Sequence, residues 1–165
     1  LEHPNICTDS RKLKENSIFF ALKGANFNGN NFAQSAIEKG CAYAIVDEEE
    51  YARNNQSILV DDVLQTLQQL AQYHREQLKI PIIGITGTNG KTTSKELINC
   101  VLNQTFNVTI TKGNLNNHIG VPLTLLSIKQ EDEIAIIEMG ANHEGEIAFL
   151  CDIAQPNFVV ITYIG

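Results

Sequence analysis

The sequence predicts an α/β fold in two parts: a small mixed α/β domain over residues 1–79, then a truncated P-loop domain with a parallel sheet over residues 80–165. Three observations carry this expectation. The segment GITGTNGKTT, residues 84–93, is a glycine loop set between an apolar run at 82–85 and a helix-compatible stretch from Lys91 to about Gln104. Beyond it, strand-like and helical stretches alternate as they do in a parallel sheet covered on both faces. Before it lies a differently patterned region, and the two separate at about Lys79 to Pro81.

The strand–loop–helix order is what a phosphate cradle needs. Glycines let backbone N–H groups close around phosphate oxygens, and the helix N-terminus adds the positive end of its dipole. In such a loop Lys91 reaches the β- and γ-phosphates and the Thr92 hydroxyl takes Mg²⁺. The general spacing is not met literally, because Ile85 stands where the first glycine belongs, with Gly84 one position early and Gly87 inside the loop. The plainer alternative is a glycine turn between a strand and a helix.

In the first region a polar turn, Thr8-Asp9-Ser10-Arg11, precedes a strand at 17–22. A Gly- and Asn-rich loop at 23–31 follows, then a short helix at 32–39 and a strand at 42–46. Acidic residues 47–50 read as a solvated turn or helix end, and 58–60 as a strand. Asp61 or Asp62 caps a long helix with Leu64, Leu67, Leu70, Ala71 and Leu78 on one apolar stripe. In the second region strands are expected near 82–86, 107–111, 134–138 and 158–163, and helices near 91–104, 121–127 and 144–153. The last residues stop at a strand end, the edge where open parallel sheets bind ligands, so the sequence is expected to be a piece of a longer protein.

Composition narrows the function classes. A net charge of −7 with no local Lys/Arg cluster argues against nucleic acid as a partner. No apolar run reaches membrane-spanning length and the first residues lack a signal-peptide layout. The four cysteines have no metal or redox spacing; Cys41 and Cys100 read as small apolar fillers, and a reduced, cytoplasmic protein is expected. His3 and His74 read as exposed and without a role.

Three further groups can carry chemistry. Glu138 ends the apolar strand 134–138, and a carboxylate at a strand tip beside a P-loop is placed to hold Mg²⁺, directly or through water; otherwise it is a solvated acid. The segment KGNLNNHIGVP, 112–122, is either a row of neutral hydrogen-bonders for phosphate or sugar oxygens or an Asn/Gly turn before a helix. His143 either faces the γ-phosphate or caps the helix that follows.

Several segments together resemble the Mur ligases of bacterial cell-wall synthesis. GTNGKTT resembles their nucleotide signature, which polyglutamylating folate enzymes and cyanophycin synthetases share. TDSRKLKENSIFFALKGANFNGNNF resembles the UDP-binding N-terminal domain of the later-acting members. GNLNNHIGVPLTLL and IIEMGANHEGEIAFL look like the member that acts last; the member adding the third amino acid usually carries a Glu-Val-Ser-Ser-His type sequence where Glu138-Met139-Gly140-Ala141-Asn142 stands here.

The resemblance implies an ATP- and Mg²⁺-dependent amide-bond ligase of peptidoglycan precursor synthesis. It would phosphorylate the terminal carboxylate of UDP-N-acetylmuramoyl tripeptide and let the amine of D-alanyl-D-alanine attack the acyl phosphate. By position, Gly87 to Thr93 would hold ATP, with Lys91, Glu138 and His143 the catalytic candidates and Thr92 and Glu138 the metal candidates. Asn116 or Asn117 would help place nucleotide and substrate, and Thr8, Ser10, Ala25, Asn26 and Phe27 would hold uridine and diphosphate. The family's second metal-binding histidine, its carbamylated lysine and its C-terminal domain would lie beyond Gly165, so these residues alone are expected to be inactive. A monomer without membrane insertion is implied. The alternatives are the neighbouring ligase that adds the third amino acid, a folate-type relative, and a non-catalytic nucleotide-binding module.

Overall fold

The computed structural model describes residues 5–164; Leu1–Pro4 and Gly165, and with them His3 and the outermost residues of both expected regions, lie outside it. The chain divides into two compact units, Leu1–Leu67 and Gln68–Gly165.

The first unit opens with strands β1 (Ile6–Cys7) and β2 (Ile18–Phe20), then a hairpin of β3 (Lys23–Gly24) and β4 (Phe27–Asn28). A 3₁₀ turn, Gly29–Phe32, leads into α1 (Ala33–Glu38), followed by β5 (Tyr43–Val46), a second 3₁₀ turn and β6 (Ser57–Leu59). The sheet order is β1-β2-β5-β6, every pair parallel. Phe19, Ala21, Ala44 and Val46 form one side of its core, closed by Ala33, Ala36 and Cys41 from α1 and the turn after it. Helix α2 (Val63–Gln77) begins here: the carboxylate of Asp62 accepts from Gln65 N at 2.7 Å, the capping contact that selects Asp62 over Asp61.

Two expectations are corrected in this unit. The Gly/Asn segment 23–31 is not an open loop, because a two-residue turn, Ala25-Asn26, lets β3 and β4 pair antiparallel. In the acidic run 47–50, Glu49 and Glu50 are exposed in a 3₁₀ turn as expected, but Asp47 and Glu48 are half-buried and paired. Both carboxylates sit 2.9 Å from Lys23 Nζ, Asn28 Nδ2 donates to Glu48, and buried Asn30 donates to Asp47 Oδ1 at 2.8 Å. The lysine comes from 24 residues upstream of Asp47, so no local pattern announces the pairing.

The second unit carries β7 (Ile82–Thr86), α3 (Lys91–Leu102), β8 (Val108–Ile110), α4 (Gly120–Leu126), β9 (Ile134–Glu138), α5 (Glu146–Ala154) and β10 (Phe158–Ile161). Its sheet is also wholly parallel, in the order β10-β7-β9-β8. The central strands β7 and β9 are buried on both faces, which is why their sequences read as continuous apolar runs. Ile82, Ala135, Ile137 and Met139 meet Val121 and Leu125 of α4 and Leu150 and Ile153 of α5 in one core. Ala71, in the second half of α2, belongs to that core too.

Arg75 is buried beside it with no acidic partner among the described residues. Its guanidinium donates to the carbonyls of Ala154 (3.0 Å) and Gln155 (2.9 Å) and to Asn157 Oδ1 (3.1 Å), which itself accepts from Ile82 N at 2.8 Å. It thereby joins the end of α5, a negative dipole end, to the start of β7. Arg75→Ala leaves these acceptors unpaired and is expected to cost roughly 2–3 kcal/mol, a fall of about 4–10 °C in Tm; a melting scan measures it. His74, expected to be exposed, is half-buried with its ring 3.3 Å from Ile128 O. Cys100, expected to fill a core position, is exposed, and all four cysteines are free.

Candidate nucleotide and substrate site

The loop 87–90 leaves β7 at its C-terminal end and runs straight into α3. Gly87 (φ +135°) and Gly90 (φ +82°) adopt conformations that L side chains rarely take. Gly87 is required twice over, because a Cβ there would run into Thr162 Oγ1 and approach the Tyr163 backbone at 2.9 Å. Ile85, standing where the general pattern has a glycine, is fully buried in β7, and the turn is made two residues later. Thr88 N donates to Tyr163 O at 2.7 Å and Thr162 Oγ1 donates to Asn89 O, so the residues after β10 brace the loop. Helix α3 has no side-chain cap at Gly90, which leaves first-turn N–H groups to a ligand.

Lys91 Nζ lies over this loop, donating to Gly87 O at 2.6 Å and Thr88 O at 3.3 Å. Thr92 Oγ1 points the other way and donates to Glu138 Oε2 at 3.0 Å. Glu138 is 2% exposed, so it is not the solvated acid of a strand end. Its other oxygen, Oε1, accepts from Asn116 Nδ2 at 2.9 Å, and its N–H donates to Thr111 Oγ1 at 2.9 Å. This separates the two asparagines. Asn116 reaches the carboxylate, while Asn117 Oδ1 accepts from Ile119 N and Gly120 N and starts α4.

Among the described residues no group of three or more His, Cys, Asp and Glu side chains could hold a metal. The donor set suits magnesium all the same: one hydroxyl and one carboxylate 3.0 Å apart, beside the glycine loop, match a cation usually held by one or two carboxylates and substrate phosphates.

A cleft of about 630 Å³ opens beside Lys91, lined among others by Asn116, Asn117, His118, Asn142 and Glu144. His143 stands apart from these: its side chain is 81% exposed and its Nδ1 is 3.2 Å from Glu146 Oε1. The backbone N–H groups of Asn142 and His143 also donate to Glu146, and together these bonds hold that carboxyl below its usual range. His143 thus takes part in the start of α5. Thr93 is exposed on the first turn of α3.

In the first unit, Thr8 and Ser10 follow β1, and Ala25, Asn26 and Phe27 form the tip of the β3–β4 hairpin after β2. Because β1 and β2 are parallel neighbours, both segments leave the same edge of that sheet. Phe27 stacks on Phe32 with ring centroids 5.4 Å apart, both rings partly exposed. The Arg11 guanidinium beside Asp9 lowers its carboxyl to about 2, in the turn that carries Ser10.

The sequence reading missed two residues here. His118 lines the cleft. Lys95 is 1% exposed, with Nζ 3.6 Å from Glu138 Oε2. A signal for Lys95 existed: it stands one turn after Lys91, on the inward stripe shared with Ile98 and Leu102.

Residues 4–75 match the Mur ligase family catalytic domain, and residues 85–165 the Mur ligase middle domain. The chain belongs to the Mur ligase family. Among its relatives, the UDP-N-acetylmuramoyl-tripeptide–D-alanyl-D-alanine ligase of Bacillus subtilis is 45% identical over 97% of this chain and 35% of its own length. A crystal structure of MurF from Acinetobacter baumannii superposes with a TM-score of 0.88 at 40% identity, covering 95% of this chain and 35% of that one. MurF ligase from Thermotoga maritima, solved in complex with ADP, gives 0.88 at 32% identity over 98% of this chain and 38% of that one. The chain therefore spans about a third of the length of the Mur ligases it matches.

Gly87→Ala tests the loop geometry. Backbone strain of about 1–3 kcal/mol translates into a roughly 5- to 150-fold loss of ADP affinity by calorimetry. Unchanged affinity would show that the loop does not have to close as it does here.

Proposed function

We propose that this chain is the part of an ATP-dependent peptide ligase that binds nucleotide and UDP-linked substrate, and that the whole protein joins D-alanyl-D-alanine to UDP-N-acetylmuramoyl tripeptide. The observation that carries the reading is the pairing of Thr92 at the phosphate loop with the buried carboxylate of Glu138. The 45% identity to the Bacillus subtilis ligase supports the choice of substrates over those of the neighbouring ligase.

A carboxylate is a poor electrophile until one of its oxygens becomes a phosphate leaving group. The chain's task is to place the γ-phosphate in line with that oxygen and to offset the charge that develops, which is how phosphoryl transfer is accelerated generally. The backbone of Gly87–Thr93 cradles the phosphates and the Lys91 ammonium moves from the loop carbonyls onto them. Thr92 and Glu138 would hold magnesium, which when bound would supply charge neutralisation at the phosphates. Asn116 keeps the Glu138 carboxylate turned toward Thr92. Thr8, Ser10 and the Ala25-Asn26-Phe27 tip hold the uridine diphosphate end of the substrate. His143 acts at the start of α5 and does not take part in the chemistry. We place the protein in the cytoplasm as a monomer, where its nucleotide-linked substrates would be.

The complete gene product tests this by phosphate release from ATP. It is given UDP-N-acetylmuramoyl tripeptide with D-alanyl-D-alanine, and in parallel the UDP-linked dipeptide with single amino acids. Release with the first pair alone supports the proposal. Release with the second alone assigns the neighbouring step, and silence with both leaves a nucleotide-binding module.

A further inference from the structure

We propose that Lys95 is a positioning residue of the nucleotide site: it holds the Glu138 carboxylate in one orientation and offsets its charge, so that the site is ready for a divalent cation before one arrives. The inference rests on the proposed role of Glu138 toward magnesium.

The Lys95 ammonium is taken wholly out of water, at 1% exposure, where lysine is rarely found unless paired. Its Nζ donates to Thr111 O at 2.8 Å and lies 3.6 Å from Glu138 Oε2 and 3.3 Å from the outward-facing Glu96. Thr111 in turn accepts from the Glu138 N–H, so α3, the end of β8 and the end of β9 are tied together around one carboxylate. Both oxygens of that carboxylate are thereby engaged, Oε1 by Asn116 and Oε2 by Thr92 and Lys95.

Stability alone does not explain this arrangement. A buried ion pair is often matched or bettered by apolar residues of similar size, and the same stripe of α3 otherwise carries the half-buried Ile98 and Leu102. What the pair does provide is a preorganised acid. A carboxylate already buried and fixed next to Thr92 needs no reorientation when the cation binds, the economy that makes prearranged groups effective. Lys91 and Lys95, one turn apart, thus divide the work: the first faces the phosphates, the second stands behind the carboxylate.

Calorimetry of ADP binding to the complete gene product, in excess Mg²⁺ and in EDTA, tests this on wild type, Lys95→Met and Lys95→Arg. Lys95→Met should leave the affinity in EDTA unchanged while cutting the Mg²⁺-driven gain in ADP affinity roughly 10- to 100-fold. Lys95→Arg should recover part of the loss. Equal losses in EDTA and Mg²⁺ would make Lys95 a structural residue and overturn the proposal, as would a full Mg²⁺ effect in Lys95→Met. Should Lys95→Met fail to fold, Lys95→Met/Glu138→Gln removes the unpaired charge. That double variant must show the same Mg²⁺ effect as Glu138→Gln alone; a further loss would overturn the proposal. Wild type that binds ADP with no Mg²⁺ effect would instead reject the role given to Glu138, and the inference with it.

Discussion

Replacing Lys91 with alanine is expected to abolish ligation by the complete gene product while leaving its affinity for the UDP-linked substrate close to that of wild type. Lys91 carries the ammonium that lies over the phosphate loop, 2.6 Å from Gly87 O, while the next lysine along α3 is committed to Thr111 and Glu138. Without it the charge building on the transferring phosphoryl group is left to the backbone and the cation. Loss of such a contact corresponds to a fall of roughly 10³-fold or more in kcat/KM, below detection in a steady-state assay. The fold should survive, since the two carbonyls Lys91 releases sit in an exposed loop and can turn to water, a change of about 1 kcal/mol or less. Parallel measurements of phosphate release, substrate binding and melting separate these effects. A matching loss of UDP-substrate affinity would mark Lys91 as structural.

Glu138→Ala is expected to strike twice. It removes the carboxylate proposed to face magnesium, so the Mg²⁺ concentration that half-saturates turnover should rise by roughly 10-fold or more. It also strands the Lys95 ammonium, which has 1% exposure and no other buried acid within an ion-pair distance among the described residues. Breaking a buried pair by removing one partner typically costs about 3–5 kcal/mol, so Tm should drop by about 6 °C or more. A Mg²⁺ titration of activity, run well below the variant's melting point, keeps the two effects apart. Unchanged metal dependence would take Glu138 out of the metal site.

Much of the second unit was legible because its information is local. Strands β7 and β9 are buried on both faces and read as apolar runs, and the glycines of the phosphate loop sit where the backbone demands them. What could not be read depends on contacts between distant residues. The polar stretch 23–31 became a hairpin and the acids at 47 and 48 became paired because Lys23, Asn28 and Asn30 meet them in space. Arg75 finds its acceptors about 80 residues on, at Ala154 and Gln155. That Asn116 rather than Asn117 meets Glu138 rests on a single hydrogen bond between distant residues. Lys95 was passed over because a lysine on a helix is ordinarily a solvated charge, and only the packing of α3 against β8 and β9 shows otherwise.

The most direct test of the account follows an oxygen atom. UDP-N-acetylmuramoyl tripeptide labelled with ¹⁸O in its terminal carboxylate is incubated with ATP, Mg²⁺, D-alanyl-D-alanine and the complete gene product, and the released phosphate is weighed by mass spectrometry. If Gly87–Thr93 and Glu138 direct the γ-phosphate onto that carboxylate, the carboxylate oxygen becomes the bridging atom of the acyl phosphate. Amine attack then breaks the carbon–oxygen bond, and each phosphate leaves with one ¹⁸O. Phosphate released without the label while ligated product forms would mean that the carboxylate is not activated by phosphorylation, and would contradict the account.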